Sequence, residues 1–155
     1  FNDKYLYEML ILESFQAGLS WECILNKRED FRKAYDNFDI DKVCKYDDYK
    51  IKQLLLNEKI IRNKLKIKSS INNSKIFKNI QEEYGTFYNY LKRFINGKTF
   101  YEVDKTTSEL SDSISKDLQK RGMKFVGNTI IYSYLQAIGV IYSHDKQCFL
   151  YNIGV

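Results

Sequence analysis

A glutamate near the start of the chain stands where an apolar side chain is expected. Glu13 continues the spacing of Leu6, Met9 and Leu10, which share one face of a helix at intervals of three and four residues. Burying an unpaired carboxylate is costly, and such a group is suited to stabilise positive charge or to accept a proton. The structural alternative is that Glu13 pairs with a core arginine or caps a neighbouring helix.

The segment after Glu13 forms a tight turn between two helices, which we call the corner, residues 16–21 (Gln16-Ala17-Gly18-Leu19-Ser20-Trp21). Its small residues allow a close approach to another backbone. Leu19 could wedge between base steps, and Trp21 could stack on a planar ring. The alternative is a packed corner with the tryptophan in the core.

A second candidate site, which we call the hairpin, spans residues 120–129 between two predicted helices. Gly122 and Gly127 permit a compact turn. The helix that follows, which includes Thr129, presents free backbone N–H groups on which a phosphate can dock. Such contacts position DNA without reading its sequence. The site is favoured by three basic residues, Lys120, Arg121 and Lys124; the alternative is an ordinary turn bounded by glycines.

The only histidine, His144, precedes Cys148 by four residues, a spacing that suits two metal ligands. A structural zinc needs four ligands, and Cys23 and Cys44 have no ligand spacing to this pair. The alternative is a surface histidine near a free thiol. An odd number of cysteines without a framework spacing indicates reduced thiols and a cytoplasmic protein.

Helical periodicity fills most of the sequence and predicts an all-α fold in one domain, residues 1–155. A helix is expected over residues 3–15, broken by Gly18. A second begins at Ser20 as N-cap and places five residues on one stripe: Trp21, Ile24, Leu25, Arg28 and Tyr35. Further helices are expected over residues 47–56, 63–84, 86–95, 111–121 and 128–138. Residues 98–103 are predicted to be a loop, because an isolated strand has no partner.

The composition limits the classes of function. The chain has 155 residues, of which 44% are hydrophobic and 15% aromatic, so it is not disordered. No apolar run approaches the roughly 20 residues that a membrane span needs, and no signal peptide opens the chain. The net charge of +5 is compatible with a polyanionic partner, although a lysine-rich composition also arises from an AT-rich genome.

These motifs occur together and in order: Leu12-Glu13, the corner, Lys27-Arg28-Glu29, Ile60-Ile61-Arg62-Asn63, the helix that precedes the hairpin, the hairpin, Gln136-Ala137 and His144-x-x-x-Cys148. In this combination the sequence resembles the bacterial type I 3-methyladenine DNA glycosylases, over nearly its whole length. The resemblance implies a helix-hairpin-helix fold and a monofunctional hydrolase that removes N3-methylated adenine from alkylated double-stranded DNA, without a cofactor for catalysis.

The resemblance also implies roles for single residues. Glu13 would contact the edge of the flipped base and stabilise its charge, acting less as a general base. Trp21 would stack on the base, and Gln16 would border the same pocket. Gly18 and Leu19 would fill the gap in the duplex. Phosphates would dock on the hairpin residues Gly122, Lys124, Gly127 and Thr129.

The family also has an N-terminal segment, which supplies a cysteine and a histidine to a structural zinc site completed by the residues that match His144 and Cys148. This sequence lacks that segment, so we expect an N-terminally truncated chain. We further expect a cytoplasmic monomer without membrane contact. Two alternatives remain: a non-catalytic helix-hairpin-helix module that binds DNA or senses damage, and a helical scaffold whose charge is incidental.

Overall fold

The computed structural model describes residues 1–17, 19 and 21–143, with only the backbone of Trp21. Helices dominate this part of the chain, as predicted. The helices are α1 Asp3–Gln16, α2 Trp21–Asn26, α3 Arg28–Ala34, a 3-10 turn Asp36–Phe38, α4 Ile40–Val43, α5 Asp48–Leu56, α6 Lys64–Tyr84, α7 Phe87–Ile95, α8 Glu109–Lys120 and α9 Asn128–Ala137. Two short strands, β1 Phe100–Tyr101 and β2 Ile141–Tyr142, complete the described elements.

Helix α1 lies at the centre of the fold. Every residue from Leu6 to Phe15 is buried, and the helix packs against α2, α6, α7 and α9. A helix buried on all sides lies inside the core rather than on its surface. The polar side chains of α1 must therefore find partners in the protein or remain unpaired.

Helix starts and ends mostly follow the local signals in the sequence. Asp47, Asn63 and Thr86 are the N-caps of α5, α6 and α7, and each side chain accepts a backbone N–H of the first turn. Gly85 ends α6 with φ +85°, a conformation that glycine adopts without strain. The boundaries predicted for these three helices are confirmed.

The prediction of one helical stripe beginning at Ser20 is wrong. The helix is interrupted at Lys27, whose backbone (φ −101°, ψ 0°) separates α2 from α3. Leu25, assigned to the buried stripe, is 44% exposed. The break turns α3 so that Arg28 and Arg32 both contact Glu8 of α1. Tertiary contacts thus override helical periodicity here.

The prediction of a loop over residues 98–103 is also wrong. Phe100 and Tyr101 pair in parallel with Ile141 and Tyr142. The N–H of Phe100 donates to the Val140 carbonyl at 2.9 Å. The partner strand follows α9, far along the chain, so local sequence patterns cannot reveal the pair.

Helix α6 spans the fold and carries the polar part of its interior. Its hydroxyls meet tyrosines from other elements: Tyr7 with Ser74 at 2.5 Å and Tyr35 with Ser70 at 2.9 Å. These bonds satisfy buried oxygens that burial would otherwise penalise. No helix among the described residues is both long enough and apolar enough to cross a membrane.

Candidate active site and DNA interface

The carboxyl group of Glu13 is buried, and one of its oxygens has no partner in the described part of the chain. The residue is 2% exposed, and its Oε2 has no hydrogen-bond partner among the described residues. Desolvation by burial raises the pKa of Glu13 to about 8. The burial expected from the spacing is therefore confirmed, and at neutral pH the raised pKa favours the protonated form of Glu13.

Arg28 and Arg32 form ion pairs with Glu8, a different glutamate of the same helix. Glu8 is 6% exposed, and its Oε1 accepts hydrogen bonds from Arg28 Nε at 2.9 Å and Arg32 Nε at 2.7 Å. Burial opposes ionisation of Glu8, but the hydrogen bonds and charges of the two arginines outweigh it and lower its pKa. In the described part of the chain no cation pairs with Glu13, so the structural alternative of a core ion pair applies to Glu8.

A second unpaired oxygen lies one turn from Glu13. Gln16 follows at a spacing of three, so both residues share a face of α1. Its Oε1 is buried and, among the described residues, has no hydrogen-bond partner. Unsatisfied buried polar atoms are rare in native proteins. Two of them on one face of a helix are suited to a polar ligand that carries N–H donors.

The corner begins at Gln16, the second of these two residues. The N–H of Leu19 donates to the Gln16 carbonyl at 2.6 Å, and the Leu19 side chain is 40% exposed. Helix α2 begins at Trp21. Gly18, Ser20 and the Trp21 side chain lie outside the described residues, so stacking by Trp21 stays a prediction. An exposed leucine at a tight turn is compatible with the predicted wedge.

A lysine of α6 caps the end of α1. The Lys66 ammonium donates to the carbonyls of Phe15 at 3.0 Å and Ala17 at 2.5 Å. Carbonyls in the last turn of a helix lack partners within it, and a cation there interacts favourably with the helix dipole. Lys66 thereby fixes the corner at its N-terminal side.

The hairpin is held against α6 by an asparagine. Asn73 is 1% exposed; its Nδ2 donates to the Lys124 carbonyl at 2.7 Å, and its Oδ1 accepts the Lys124 N–H at 2.9 Å. Gly122, at φ +100°, makes the first turn of the hairpin in a conformation that disfavours other residues. Gly127 is the N-cap of α9. The backbone of the hairpin is thus fixed before any ligand binds.

Two of the three basic residues of the hairpin are available to a phosphate. Lys120 and Lys124 are exposed, and in the described part of the chain neither has an ion-pair partner. Arg121 instead bonds Asp117 at 2.9 Å and Glu83 at 2.8 Å. Neighbouring carboxylates thus engage the Arg121 guanidinium in the free protein, and a contribution of Arg121 to phosphate binding stays a prediction.

The start of α9 supplies the remaining predicted phosphate contacts. Thr129 is exposed, and its N–H donates to the side chain of Asn128 at 2.9 Å. Gly127 has no side chain, and a Cβ placed there would meet no atom within 4 Å. A ligand can therefore approach the backbone closely at Gly127, while Asn128 would have to release Thr129 for its N–H to reach a phosphate.

The structure joins the corner to the hairpin through Lys66, which the sequence did not single out. Its ammonium lies 5.9 Å from the centre of the Phe125 ring in the hairpin. Asn73 was missed as well. The available signal for Asn73 was an amide on the buried face of α6, four residues before the core residue Phe77.

The predicted zinc ligands, His144 and Cys148, lie outside the described residues. Within the described part, no group of three or more histidine, cysteine, aspartate or glutamate side chains is arranged to hold a metal ion. The zinc site therefore stays a prediction.

Comparison with known proteins assigns the chain to a family. A model of the methyladenine glycosylase family matches residues 1–151. The chain belongs to this family. The match includes the buried Glu13, the corner and the hairpin, so the elements identified by their chemistry all lie within the matched residues.

Individual relatives agree with this assignment. The chain is 37% identical to DNA-3-methyladenine glycosylase 1 of Escherichia coli K12, over 97% of this chain and 83% of the relative. The crystal structure of a 3-methyladenine DNA glycosylase I superposes with a TM-score of 0.91 at 34% identity, covering 96% of this chain and 85% of the other. A variant of such an enzyme in complex with 3-methyladenine has the same TM-score at 31% identity, covering 96% and 83% of the two chains. The expected fold class is confirmed.

Proposed function

We propose that this protein is a DNA repair glycosylase that hydrolyses the N-glycosidic bond of 3-methyladenine flipped out of alkylated double-stranded DNA. Family membership supports the class of reaction. The observation that carries the proposal is the buried carboxyl of Glu13, whose Oε2 has no hydrogen-bond partner among the described residues, because a cationic base is the ligand that would compensate its charge.

The charge of the substrate explains how such a site discriminates. A purine methylated at N3 is cationic within DNA, whereas normal adenine is neutral. With a pKa of about 8, ionising Glu13 at pH 7 costs about 1.4 kcal/mol. A cation about 4 Å away returns about 4 kcal/mol at an effective dielectric constant of about 20. The damaged base therefore brings Glu13 into its ionised form, and normal adenine does not.

The reaction needs little further help from the protein. The electron pair of the glycosidic bond moves to the ring, so the base departs neutral without needing a proton from an acid. The positive charge that develops on the sugar is quenched by water at C1′, which then loses a proton. Ionised Glu13 would stabilise this charge and, as a secondary role, accept the proton of the water.

The corner and the hairpin would hold the DNA during this step. Lys124 and the backbone at Gly127 would contact phosphates. Leu19 and Gly18 would fill the space that the extruded base leaves. Trp21 would stack on the base, and Gln16 would accept a hydrogen bond from its amino group.

Release of free 3-methyladenine from methylated duplex DNA, followed by chromatography, tests the proposal directly. Release should depend on Glu13, and kcat/KM should rise with pH to a plateau above about 8, because this ratio reports ionisation of the free enzyme. Tight binding of the damaged duplex without release would instead support the alternative, a non-catalytic helix-hairpin-helix module that binds DNA or senses damage.

The remaining expectations form part of the same proposal. The protein would act as a monomer in the bacterial cytoplasm. A structural zinc, distinct from the chemistry of base release, would be held by His144 and Cys148 with two further ligands. Light scattering of the free protein tests the monomeric state, and metal analysis of purified material tests the zinc site.

A further inference from the structure

One lysine touches both elements that are proposed to contact DNA. Lys66 donates to the last carbonyls of α1, at Phe15 and Ala17, and lies over the ring of Phe125 in the hairpin at 5.9 Å. Partial burial lowers its pKa, which indicates that the ammonium is drawn away from water. Its hydrogen bonds are therefore made in surroundings where they are stronger than on an open surface.

Phe125, the hairpin residue in this contact, has an unusual backbone conformation. Phe125 has φ +55°, and a bulky residue in this region is strained. Such strain persists where the surrounding structure fixes it, and it is concentrated at functional sites. Here the hydrogen bonds of Asn73 to Lys124 fix the residue before Phe125, while Val126 accepts a bond from Ser115 at 2.7 Å. The hairpin thus holds the ring in place beside Lys66.

We propose that Lys66 is a positioning residue that ties the corner to the hairpin, so that DNA held on the hairpin meets the wedge and the base pocket in a fixed geometry. This inference rests on the proposed function. Lys66 does not touch the substrate; it acts through the end of α1, from which Gln16 and Leu19 project. A misplacement of about 1 Å in such an arrangement can cost a hundredfold in rate.

The experiment compares four variants with the wild-type protein. Lys66→Met keeps an unbranched side chain one atom shorter and removes the charge, and Lys66→Arg supplies donors for both carbonyls. Phe125→Leu removes the ring. Lys75→Met is the matched control, because Lys75 is an exposed lysine of the same helix whose charge acts on Cys44 rather than on the hairpin.

Three quantities are measured for each variant: the single-turnover rate of 3-methyladenine release, the affinity for undamaged duplex DNA, and the hydrogen-exchange rate of the Leu19 amide, which donates to the Gln16 carbonyl in the corner. Lys66→Met should lower the rate about tenfold through loss of two charge-assisted hydrogen bonds, with duplex affinity changed by less than about twofold because phosphate contacts remain. Hydrogen exchange of the Leu19 amide should become faster. Lys66→Arg should recover the rate to within about threefold, and Lys75→Met should match the wild type.

Several results would overturn the proposal. These are an unchanged rate in Lys66→Met, a loss of duplex affinity as large as the loss of rate, or no recovery with arginine. If Lys66→Met does not fold, Phe125→Leu decides: a slower release with normal duplex affinity supports the tie, and an unchanged rate refutes it. Absence of release by the wild type would refute the proposed function itself, and hydrogen exchange of the Leu19 amide would then still test the tie: faster exchange in Lys66→Met supports it, and unchanged exchange refutes it.

Discussion

Replacing Glu13 by glutamine should make the folded protein more stable while impairing base release. The native residue carries a carboxyl whose pKa rises from 4.5 to about 8 on folding, because burial disfavours its charged form. Between these values the unfolded chain is ionised at this position and the folded chain retains the proton. Folding therefore binds a proton, and stability falls as the pH rises through this window.

The size of the effect follows from the two pKa values. Each pH unit within the window costs about 1.4 kcal/mol, so the wild type loses about 4 kcal/mol between pH 5 and pH 8 that the glutamine variant does not lose. For a chain of this size, 1 kcal/mol corresponds to about 2–4 °C in Tm. The stability difference between variant and wild type should therefore widen steadily up to pH 8 and then level off.

Glu8→Gln is the matched control, since it makes the same change on the same helix. Arg28 and Arg32 lower the pKa of Glu8. A carboxyl whose pKa is lowered by folding stabilises the folded state at every pH above the pKa of the unfolded chain. This contribution is lost only as the pH falls through the pKa of the folded chain. The glutamine variant at position 8 should thus be less stable by about 2 kcal/mol, by the same amount at pH 5 and pH 8.

Urea denaturation followed by circular dichroism at several pH values between 5 and 8.5 measures both differences. Base release by Glu13→Gln, measured alongside, should fall by roughly a hundredfold, the size of effect seen when one group that stabilises the transition state is removed. If the stability difference for Glu13→Gln is flat across this range, the carboxyl is compensated in the protein and the argument for a cation site fails.

Three further predictions concern the DNA interface and the metal. Lys124→Gln should weaken binding to all duplex sequences alike and reduce the slope of log K against log salt by about 1; a loss confined to one sequence would exclude phosphate docking. Asn73→Ala should lower the free energy of unfolding, measured by urea denaturation, by about 2 kcal/mol, since it removes two hydrogen bonds to the Lys124 backbone. An unchanged denaturation midpoint would show that these bonds do not stabilise the hairpin. Mass spectrometry of metal content should find zinc in the wild type and less in His144→Ala, and equal contents would refute that ligand.

The helices and most of their ends could be predicted because their signals are local. Asn63 accepts the N–H of Lys66 at the start of α6, and Gly85 ends the same helix. Both effects involve residues within one turn of each other, so the local sequence alone determines where the helix begins and ends. The burial of Glu13 followed in the same way, from the spacing of its apolar neighbours on α1.

The features that escaped prediction depend on residues far apart in the sequence. The parallel pair of β1 and β2 joins segments about 40 residues apart. The break between α2 and α3 brings two arginines to Glu8, which local propensity does not encode. Lys66 resembled the other lysines of α6, and only the packing of α1 against α6 gives it two carbonyls to bind.

The two buried glutamates of α1 show how the fold separates structure from function. Both lie in a helix that is buried on every side, and both would destabilise the protein if left alone. Helix α3 supplies cations to Glu8, which is then a structural residue. Among the described residues no element supplies a cation to Glu13, and its burial raises the pKa of the carboxyl. The proposed selectivity follows from this difference: a cationic base beside Glu13 would offset the free energy needed to ionise the carboxyl, whereas a neutral base would not.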